Sequence, residues 1–353
     1  MTVRDARLLY PGVIVRTSDP AKYRAVHLQF RNIFKGCSPA VSPKSIDEAV
    51  IDFIDTYALY NRTLPDIGQE IKRRFREEIG EWMRCSIGIG TNRFLAKLAA
   101  SLEKPDRLTV IDHTNVLSVY DRVSLLDLSG INTKNKARLN AAGIFTPMEF
   151  YRASVDTLKQ QVFQSILGYY WFLRLRGYEI DDVDFGRKSF GNMYALKMQT
   201  TDPRELSRLL MKLCEKTGRR LRKAEYQASG VHVACVYTDF SSWHTGRKVE
   251  IPVYTTREIY RKALWLLNMS GYPKKVRNLA VSVYDLVPHH SEQLEMFASR
   301  SHAVAEAMDK INDKYGEFVI TPALMMGMDD TIIDRIAFGG VKELEELYVV
   351  VKT

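Results

Sequence analysis

Hydrophobic positions over residues 1–116 follow two patterns, short apolar runs and helical stripes. The runs at 49–54, 85–90 and 108–111 have the length of buried strands. Between Pro65 and Met83, apolar residues recur at every fourth position, which predicts a helix. A second helix is predicted after Thr91 or Asn92, either of which can cap it. This alternation predicts an α+β or α/β layer.

The remainder of the chain divides at glycines and at a polar segment. Residues 117–178 predict short helices broken at Gly130 and Gly143, and the acidic stretch 179–188 predicts a linker. Strands are predicted at 189–196, 230–237 and 276–286, and helices at 203–222 and 256–267. We interpret this part as a β-α-β-β-α-β split βαβ sandwich. The tail 289–353 is mixed, with a helix predicted at 302–315.

Composition excludes several classes of protein. A chain of 353 residues is too long for one ordinary domain, and 46% hydrophobic residues exclude wholesale disorder. The longest apolar runs fall far short of the roughly 20 residues that cross a bilayer, and the N-terminus lacks the apolar region of a secretory signal. The four cysteines stand far apart without a C-x-x-C, which argues against disulfides or a zinc knuckle. We expect a cytoplasmic protein without a membrane partner.

The charge is unevenly distributed. The formal net charge is +9, and residues 189–288 contain 17 Lys and Arg against 8 Asp and Glu, which accounts for the whole excess. A basic segment joined to a neutral one predicts a polyanionic partner, with nucleic acid ahead of a membrane surface. Basic surfaces also occur on proteins that bind no nucleic acid, so charge alone leaves both possibilities open.

Two adjacent carboxylates, Asp47 and Glu48, directly precede the apolar run 49–54. A twist or bulge at a strand entrance can bring both toward one divalent ion, and Mg²⁺ prefers carboxylate oxygen. The alternative is a solvated turn.

Downstream, Lys97 and Lys104 are seven residues apart, which places them near one face of the second predicted helix. The surrounding sequence fits neither a P-loop nor a dinucleotide motif. The alternative to phosphate binding by these lysines is an ordinary amphipathic helix with solvated lysines.

Two further segments suggest binding. The turn around Gly130, between two short helices, can offer backbone N–H groups to a DNA phosphate; the alternative is a packing corner. The segment 293–297 has the anchors of a peptide that inserts into a hydrophobic pocket of a partner, or of a tail that packs on its own domain. These anchors are Gln293, Leu294, Met296 and Phe297.

Taken in order, these segments resemble the Y-family DNA polymerases of the UmuC/DinB type. Residues 45–49 resemble the S-x-D-E motif, and residues 85–106 resemble the S-x-G-I-x-x-N-x-x-x-A-K-x-A…K-P-x-G signature, with Arg107 in place of the last glycine. Residues 129–131 correspond to the thumb turn, 188–191 to the K-S-I/F-G start of the little finger, and 293–297 to the sliding-clamp motif Q-L-x-L-F. The resemblance covers nearly the whole chain.

The resemblance implies an α+β fold and an error-prone translesion polymerase of DNA repair and the SOS response. The implied regions are a palm with the end of the fingers at 1–116, a helical thumb with a helix–hairpin–helix at 117–178, the linker 179–188, a DNA-binding little finger at 189–288 and a clamp-binding tail at 289–353. The implied ligands are damaged primer-template DNA, deoxynucleoside triphosphates, Mg²⁺ and a sliding clamp.

The resemblance also assigns roles to individual residues. Asp47 and Glu48 are the implied catalytic and Mg²⁺-binding carboxylates, Lys104 contacts the triphosphate, and Lys97 is structural or a weaker phosphate contact. The implied DNA contacts are Gly130, Ile131, Asn132, Lys134, Lys188, Ser189, Arg247 and Lys248, and the implied clamp contacts are Gln293, Leu294, Met296 and Phe297.

The sequence also departs from the family pattern. The family opens with a strand carrying D-x-D, no D-x-D occurs in residues 1–47, and residues 1–11 resemble the end of the fingers. We therefore expect a chain that lacks the first catalytic aspartate and polymerises poorly. A DNA- and clamp-binding fragment without catalysis, or a basic structural protein with coincidental motifs, are the alternatives. In the thumb turn, Ser129 and Asn132 replace the usual proline and second glycine, and because Asn tolerates the left-handed region we expect that the hairpin can survive.

Overall fold

The computed structural model describes residues 2–183, 186–289 and 300–332. The chain forms two compact units, one containing residues 1–184 and the other residues 185–334. Within the described ranges, no helix is both long and apolar enough to cross a membrane.

The first unit contains eight helices and four short strands in its described part. The helices are α1 (Val3–Leu9), α2 (Pro20–Lys35), α3 (Leu64–Arg74), α4 (Arg93–Leu102), α5 (Val116–Tyr120), α6 (Thr133–Ala141), α7 (Pro147–Arg152) and α8 (Leu167–Leu175). The strands are β1 (Val41–Pro43), β2 (Ala49–Ile51), β3 (Ile87–Gly90) and β4 (Leu108–Ile111). Single turns of 3₁₀ or π helix lie at Tyr57–Leu59, Phe75–Ile79, Leu125–Asp127 and Thr157–Val162.

These four strands form two separate pairs. β1 pairs with β2 in antiparallel fashion, and β3 pairs with β4 in parallel. Helix α4 begins where predicted, because the Asn92 side chain accepts a hydrogen bond from the Leu95 N–H at 2.8 Å. A Cβ on Gly88 would lie 1.9 Å from the Ala96 carbonyl oxygen, so α4 packs on β3 at backbone distance and only glycine fits there.

Three predicted boundaries in this unit are wrong. The run 49–54 is a strand only to Ile51, and the Ile54 side chain is 76% exposed. The helix predicted to reach Met83 ends as α-helix at Arg74 and continues only as a π turn. Because α4 ends at Leu102, Lys104 lies in the following loop and shares no helix face with Lys97. The predicted breaks at Gly130 and Gly143 are confirmed, and both glycines have positive φ.

The second unit is built on one four-stranded sheet. Its elements are β5 (Ser189–Thr200), α9 (Pro203–Lys223), β6 (Tyr226–Tyr237), β7 (Ser242–Val253), α10 (Thr256–Asn268), β8 (Val276–Pro288) and α11 (Arg300–Tyr315). The strand order is β5-β8-β6-β7, with every neighbouring pair antiparallel. β5 and β6 therefore run parallel with β8 between them, which is the predicted split βαβ arrangement. The sequence analysis gave no position for β7, an edge strand whose side chains are mostly exposed or half-buried.

One face of this sheet is packed against α9 and α10. Val231, Val233 and Leu279 contribute to the core from the strands, and Leu213 and Ile259 contribute from the helices; all five are fully buried. Residues of the tail join the same core, because Met328 and Ile332 are buried in it. The described part of the tail is therefore a layer of this unit.

Candidate functional site

Asp47 and Glu48 lie in the turn that joins β1 to β2. The backbone N–H groups of Lys44 and Ser45 both donate to the Glu48 carbonyl, at 2.8 and 3.1 Å, which closes the turn. The hydroxyl of the buried Ser45 donates to Asp47 Oδ1 at 2.5 Å. The turn therefore presents both carboxylates at the surface, beside a side chain that orients one of them.

Glu48 is paired with α4. The Lys97 Nζ lies 2.7 Å from Glu48 Oε2, and both side chains are about half exposed, at 52% and 47%. The two motifs that the sequence analysis singled out separately are thus brought together. Lys97 neutralises one of the two carboxylates, although an exposed pair of this kind contributes little to stability.

The donor set at the turn suits a hard cation. Mg²⁺ is usually held by one or two carboxylates, with water and substrate phosphates completing its shell. Asp47 and Glu48 supply two such carboxylates on one turn, with an exposed approach for phosphate. Among the described residues, no cluster of three or more His, Cys, Asp and Glu side chains could hold a metal ion.

A shallow groove lies beside this turn, between α2 and the β1–β2 pair. Phe30, Phe34 and Pro43 give it apolar walls, and Asp47 and Glu48 also line it. A contact between His27 Nδ1 and the Ile46 carbonyl oxygen, 2.8 Å apart, fixes α2 to the turn. Burial lowers the pKa of His27, which favours the neutral imidazole there.

The loop that carries Lys104 is anchored by Asp106, a residue that the sequence analysis did not assign. The Asp106 carboxylate pairs with Lys72 at 2.7 Å, Arg76 at 2.8 Å and Arg84 at 3.1 Å. These cations, Lys72 above all, hold the pKa of Asp106 far below its usual range. Lys104 itself is exposed two residues earlier. No sequence motif could have found this cluster, because its members lie far apart along the chain.

The glycine turn before α6 differs in detail from expectation. Gly130 has φ +97° and the turn forms as expected, but Asn132 is extended (φ −92°, ψ 178°) and does not use the left-handed region. Instead, its side chain caps α6 by accepting from the Asn135 N–H at 2.9 Å. Ile131 is buried and its N–H donates to a backbone carbonyl, so it anchors the turn. The exposed Lys134 lies in the first turn of α6, where N–H groups lack intrahelical acceptors.

The assigned DNA-contact residues of the second unit lie in its strands or directly before one. Ser189 begins β5 and is exposed, directly after Lys188. Arg247 and Lys248 are exposed on the edge strand β7, where Lys248 pairs with Asp285 at 2.9 Å. The clamp-motif residues Gln293, Leu294, Met296 and Phe297 lie outside the described residues.

Much of the positive charge on α9 is used within the unit. Arg208, Lys212 and Lys216 donate to main-chain carbonyls between residues 324 and 332, at 2.6–3.3 Å. Arg222 makes a two-point contact with Asp309. Residues 300–332 contain six Asp and Glu against three Lys and Arg. The charge available to a polyanion is therefore smaller than the count over 189–288 suggested.

Family models match both parts of the chain. The impB/mucB/samB family matches residues 1–101, and the impB/mucB/samB family C-terminal domain matches residues 187–296. A DNA polymerase IV of Pelotomaculum thermopropionicum is 32% identical over 333 residues, covering 92% of this chain and 82% of the relative. A DNA polymerase IV of Moorella thermoacetica is 31% identical over 336 residues, with the same coverage.

Solved structures give the same fold. A Y-family DNA polymerase chimera of Dbh and Dpo4 is similar with a TM-score of 0.69 at 21% identity, over 81% of this chain and 83% of that one. An insertion ternary complex of Dbh DNA polymerase has a TM-score of 0.52 at 20% identity, with the same coverage. From the family models and the relatives, the chain belongs to the impB/mucB/samB family, the Y-family DNA polymerases.

Proposed function

We propose that this chain is a translesion DNA polymerase in which Asp47 and Glu48 are the catalytic carboxylates. The observation that carries the proposal is the β1–β2 turn, which presents both carboxylates at the surface in a chain whose relatives are named DNA polymerase IV. In this proposal, residues 1–116 are the palm with the end of the fingers, 117–178 the thumb and 189–288 the little finger. Residues 179–188 link the thumb to the little finger, and 289–353 form a clamp-binding tail.

Each side chain around the turn has a proposed task. Asp47 and Glu48 would hold Mg²⁺, which when bound neutralises charge on the triphosphate and lowers the pKa of the attacking hydroxyl. The Ser45 hydroxyl orients Asp47, and Lys97 holds Glu48 in place. Lys104 lies in a loop fixed by Asp106, from which its ammonium would neutralise charge on the leaving pyrophosphate.

The proposed DNA contacts are to phosphates. The turn at Gly130 offers the N–H groups of Thr133 and Lys134 and the Lys134 ammonium, and Arg247 and Lys248 offer two exposed cations on β7. Phosphate contacts fix the register of the duplex without reading its sequence, and they weaken as salt rises. Such binding suits a polymerase that copies distorted template. Sliding-clamp binding through residues 293–297 remains a prediction.

A second candidate is a DNA- and clamp-binding protein without polymerase activity. The Lys97 contact favours it, because it occupies Glu48 and leaves Asp47 as the one unpaired carboxylate of the turn. A single carboxylate is a weak Mg²⁺ site, and transition-state stabilisation would fall accordingly.

Primer extension with Mg²⁺ and all four deoxynucleotides, on undamaged and lesion-containing templates, separates the two candidates. The polymerase predicts extension that falls about 100-fold or more in the Asp47→Ala/Glu48→Ala variant, since a metal site supplies several kcal/mol of stabilisation. The control variant Asp55→Ala changes an exposed carboxylate of the same unit and should extend normally. Absence of extension together with a salt-sensitive primer-template gel shift would favour the second candidate. Absence of both extension and a gel shift would overturn both candidate functions.

A further inference from the structure

Two histidines face each other on the second unit, on the strand pair that also carries Arg247 and Lys248. His232 on β6 and His244 on β7 place Nε2 and Nδ1 3.3 Å apart, with ring centroids 5.4 Å apart. The inference from this pair is independent of the proposed function.

Strand register brings the two rings together. His232 is opposite Gly246, and His244 is opposite Ala234, so the histidines are diagonal neighbours on one face of an antiparallel pair. The small partners leave space for the rings. A Cβ on Gly246 would lie 3.2 Å from His232 Cδ2 and 3.3 Å from the Tyr284 hydroxyl oxygen, closer than ordinary packing allows.

The pair lies on the face of the sheet opposite α9 and α10. Val231 and Val233, which flank His232, are fully buried in the helix-covered core, and side chains alternate along a strand. His232 is consequently half-buried on the opposite face, and His244 is exposed there. An ion in solution can reach both rings.

The distance between the nitrogens matches that of a chelate. Imidazole nitrogens bind Zn²⁺ at about 2.0–2.1 Å, and two tetrahedral ligands at that distance are about 3.3–3.4 Å apart. We propose that His232 and His244 form a two-imidazole site for a first-row transition-metal ion, with Zn²⁺, Ni²⁺ and Cu²⁺ as candidates. In the present contact one of these two nitrogens carries a proton, and a tautomer change that moves it to the other nitrogen of the same ring frees both lone pairs for one ion, with water in the remaining positions.

The surroundings support this use. Both histidines sit within strands that are paired over most of their length, so the site is largely preformed. The affinity of a nitrogen site is higher for Cu²⁺ than for either Ni²⁺ or Zn²⁺, which predicts the tightest binding for Cu²⁺.

Calorimetric titration of the full chain with Ni²⁺ or Cu²⁺ alone tests the site. We expect His232→Ala and His244→Ala each to weaken the binding at this site at least tenfold. His113→Ala removes an exposed histidine of the first unit and should leave the site unchanged. Cu²⁺ electron paramagnetic resonance adds a direct readout, because the native pair gives coupling to two nitrogen ligands and each single variant removes one.

A third variant distinguishes chelation from independent binding by two histidines. Gly246→Val keeps both imidazoles but fills the space beside His232, so it should weaken binding while circular dichroism stays native. Equal affinity in the native chain and in both alanine variants would overturn the proposal. So would a resonance spectrum with a single nitrogen ligand in the native chain.

Discussion

The two units have the same number of described strands but differ sharply in how those strands are held. β1–β4 are three or four residues long and form two separate pairs. β5–β8 are 12 or 13 residues long and form one continuous sheet. Isolated two-stranded pairs are marginal in water, so the first unit needs support that the second does not.

Side chains provide that support by bonding to the main chain. The Tyr60 hydroxyl donates to the Cys37 carbonyl, Lys72 donates to the Asp106 carbonyl, and His27 contacts the Ile46 carbonyl. In the second unit, the ladder between long strands satisfies the same kind of group. We conclude from this difference that the carboxylate turn depends on individual polar residues. The second unit depends on its apolar core and on ion pairs to its tail.

The largest expected effect is at the ion pair between α9 and α11. Arg222→Met should destabilise the second unit by about 3–5 kcal/mol, because it removes the two-point contact of Asp309 at a mostly buried position and leaves only the longer contact with Arg219 at 3.6 Å. Urea denaturation followed by circular dichroism measures the change. Arg257→Met, at an exposed position on α10, is the matched control. A loss below about 1 kcal/mol would show that the tail is not an integral layer.

A pair of core substitutions compares the sheets directly. Leu279→Ala, at a fully buried position of β8, should cost about 2–5 kcal/mol. Val50→Ala, at a half-buried position of β2, should cost about 1 kcal/mol or less because less apolar surface is lost. Equal losses in urea denaturation would contradict the view that the small strands depend less on buried apolar side chains than the long strands do.

Asp106→Asn should destabilise the first unit by about 1.5–3 kcal/mol at pH 7, since it weakens hydrogen bonds to charged groups. The depressed pKa of Asp106 stabilises the fold above the ordinary pKa of 3.8, and this stabilisation is lost as the pH falls toward the depressed value. The difference between native and variant chains should therefore shrink between pH 4 and pH 2. A difference that is independent of pH would assign the effect to packing.

The smallest effect is expected at the exposed pair beside the carboxylates. Lys97→Met should change the free energy of unfolding by less than about 1 kcal/mol, and salt should reduce even that. The same variant leaves Glu48 without its cation, so its Mg²⁺ affinity, measured by calorimetry, should rise slightly. Unfolding of the first unit by this change would mean that the pair is structural.

Local signals predicted much of the fold. The Asn92 cap, the breaks at Gly130 and Gly143 and the helices of the second unit follow from short-range patterns. The sequence analysis did not locate strand β7, because most of its side chains are exposed or half-buried. An edge strand of this kind lacks a clear alternation of apolar and polar residues.

The candidate site was predicted less completely, because its geometry depends on distant residues. Asp47, Glu48 and Lys97 stand out in the sequence, but the contact between Glu48 and Lys97 joins residues 49 positions apart. The Asp106 cluster and the neutralisation of α9 by the tail are equally long-range. A count of charges along the chain therefore cannot separate cations that face solvent from those that hold the fold together.

Between residues 324 and 332 of the tail, the main-chain carbonyl of every second residue accepts a hydrogen bond from the rest of the second unit. The carbonyl oxygens of Leu324, Met326, Met328, Asp330 and Ile332 accept hydrogen bonds from Arg208, Lys212, Lys197 and Lys216. Because main-chain oxygens make these contacts, most side chains there can change without breaking them. Inserting or deleting one residue would turn the alternate carbonyls away from the cations. The exposed side chains of this stretch should therefore vary in sequence during evolution, while its length and the buried Met328 and Ile332 are retained.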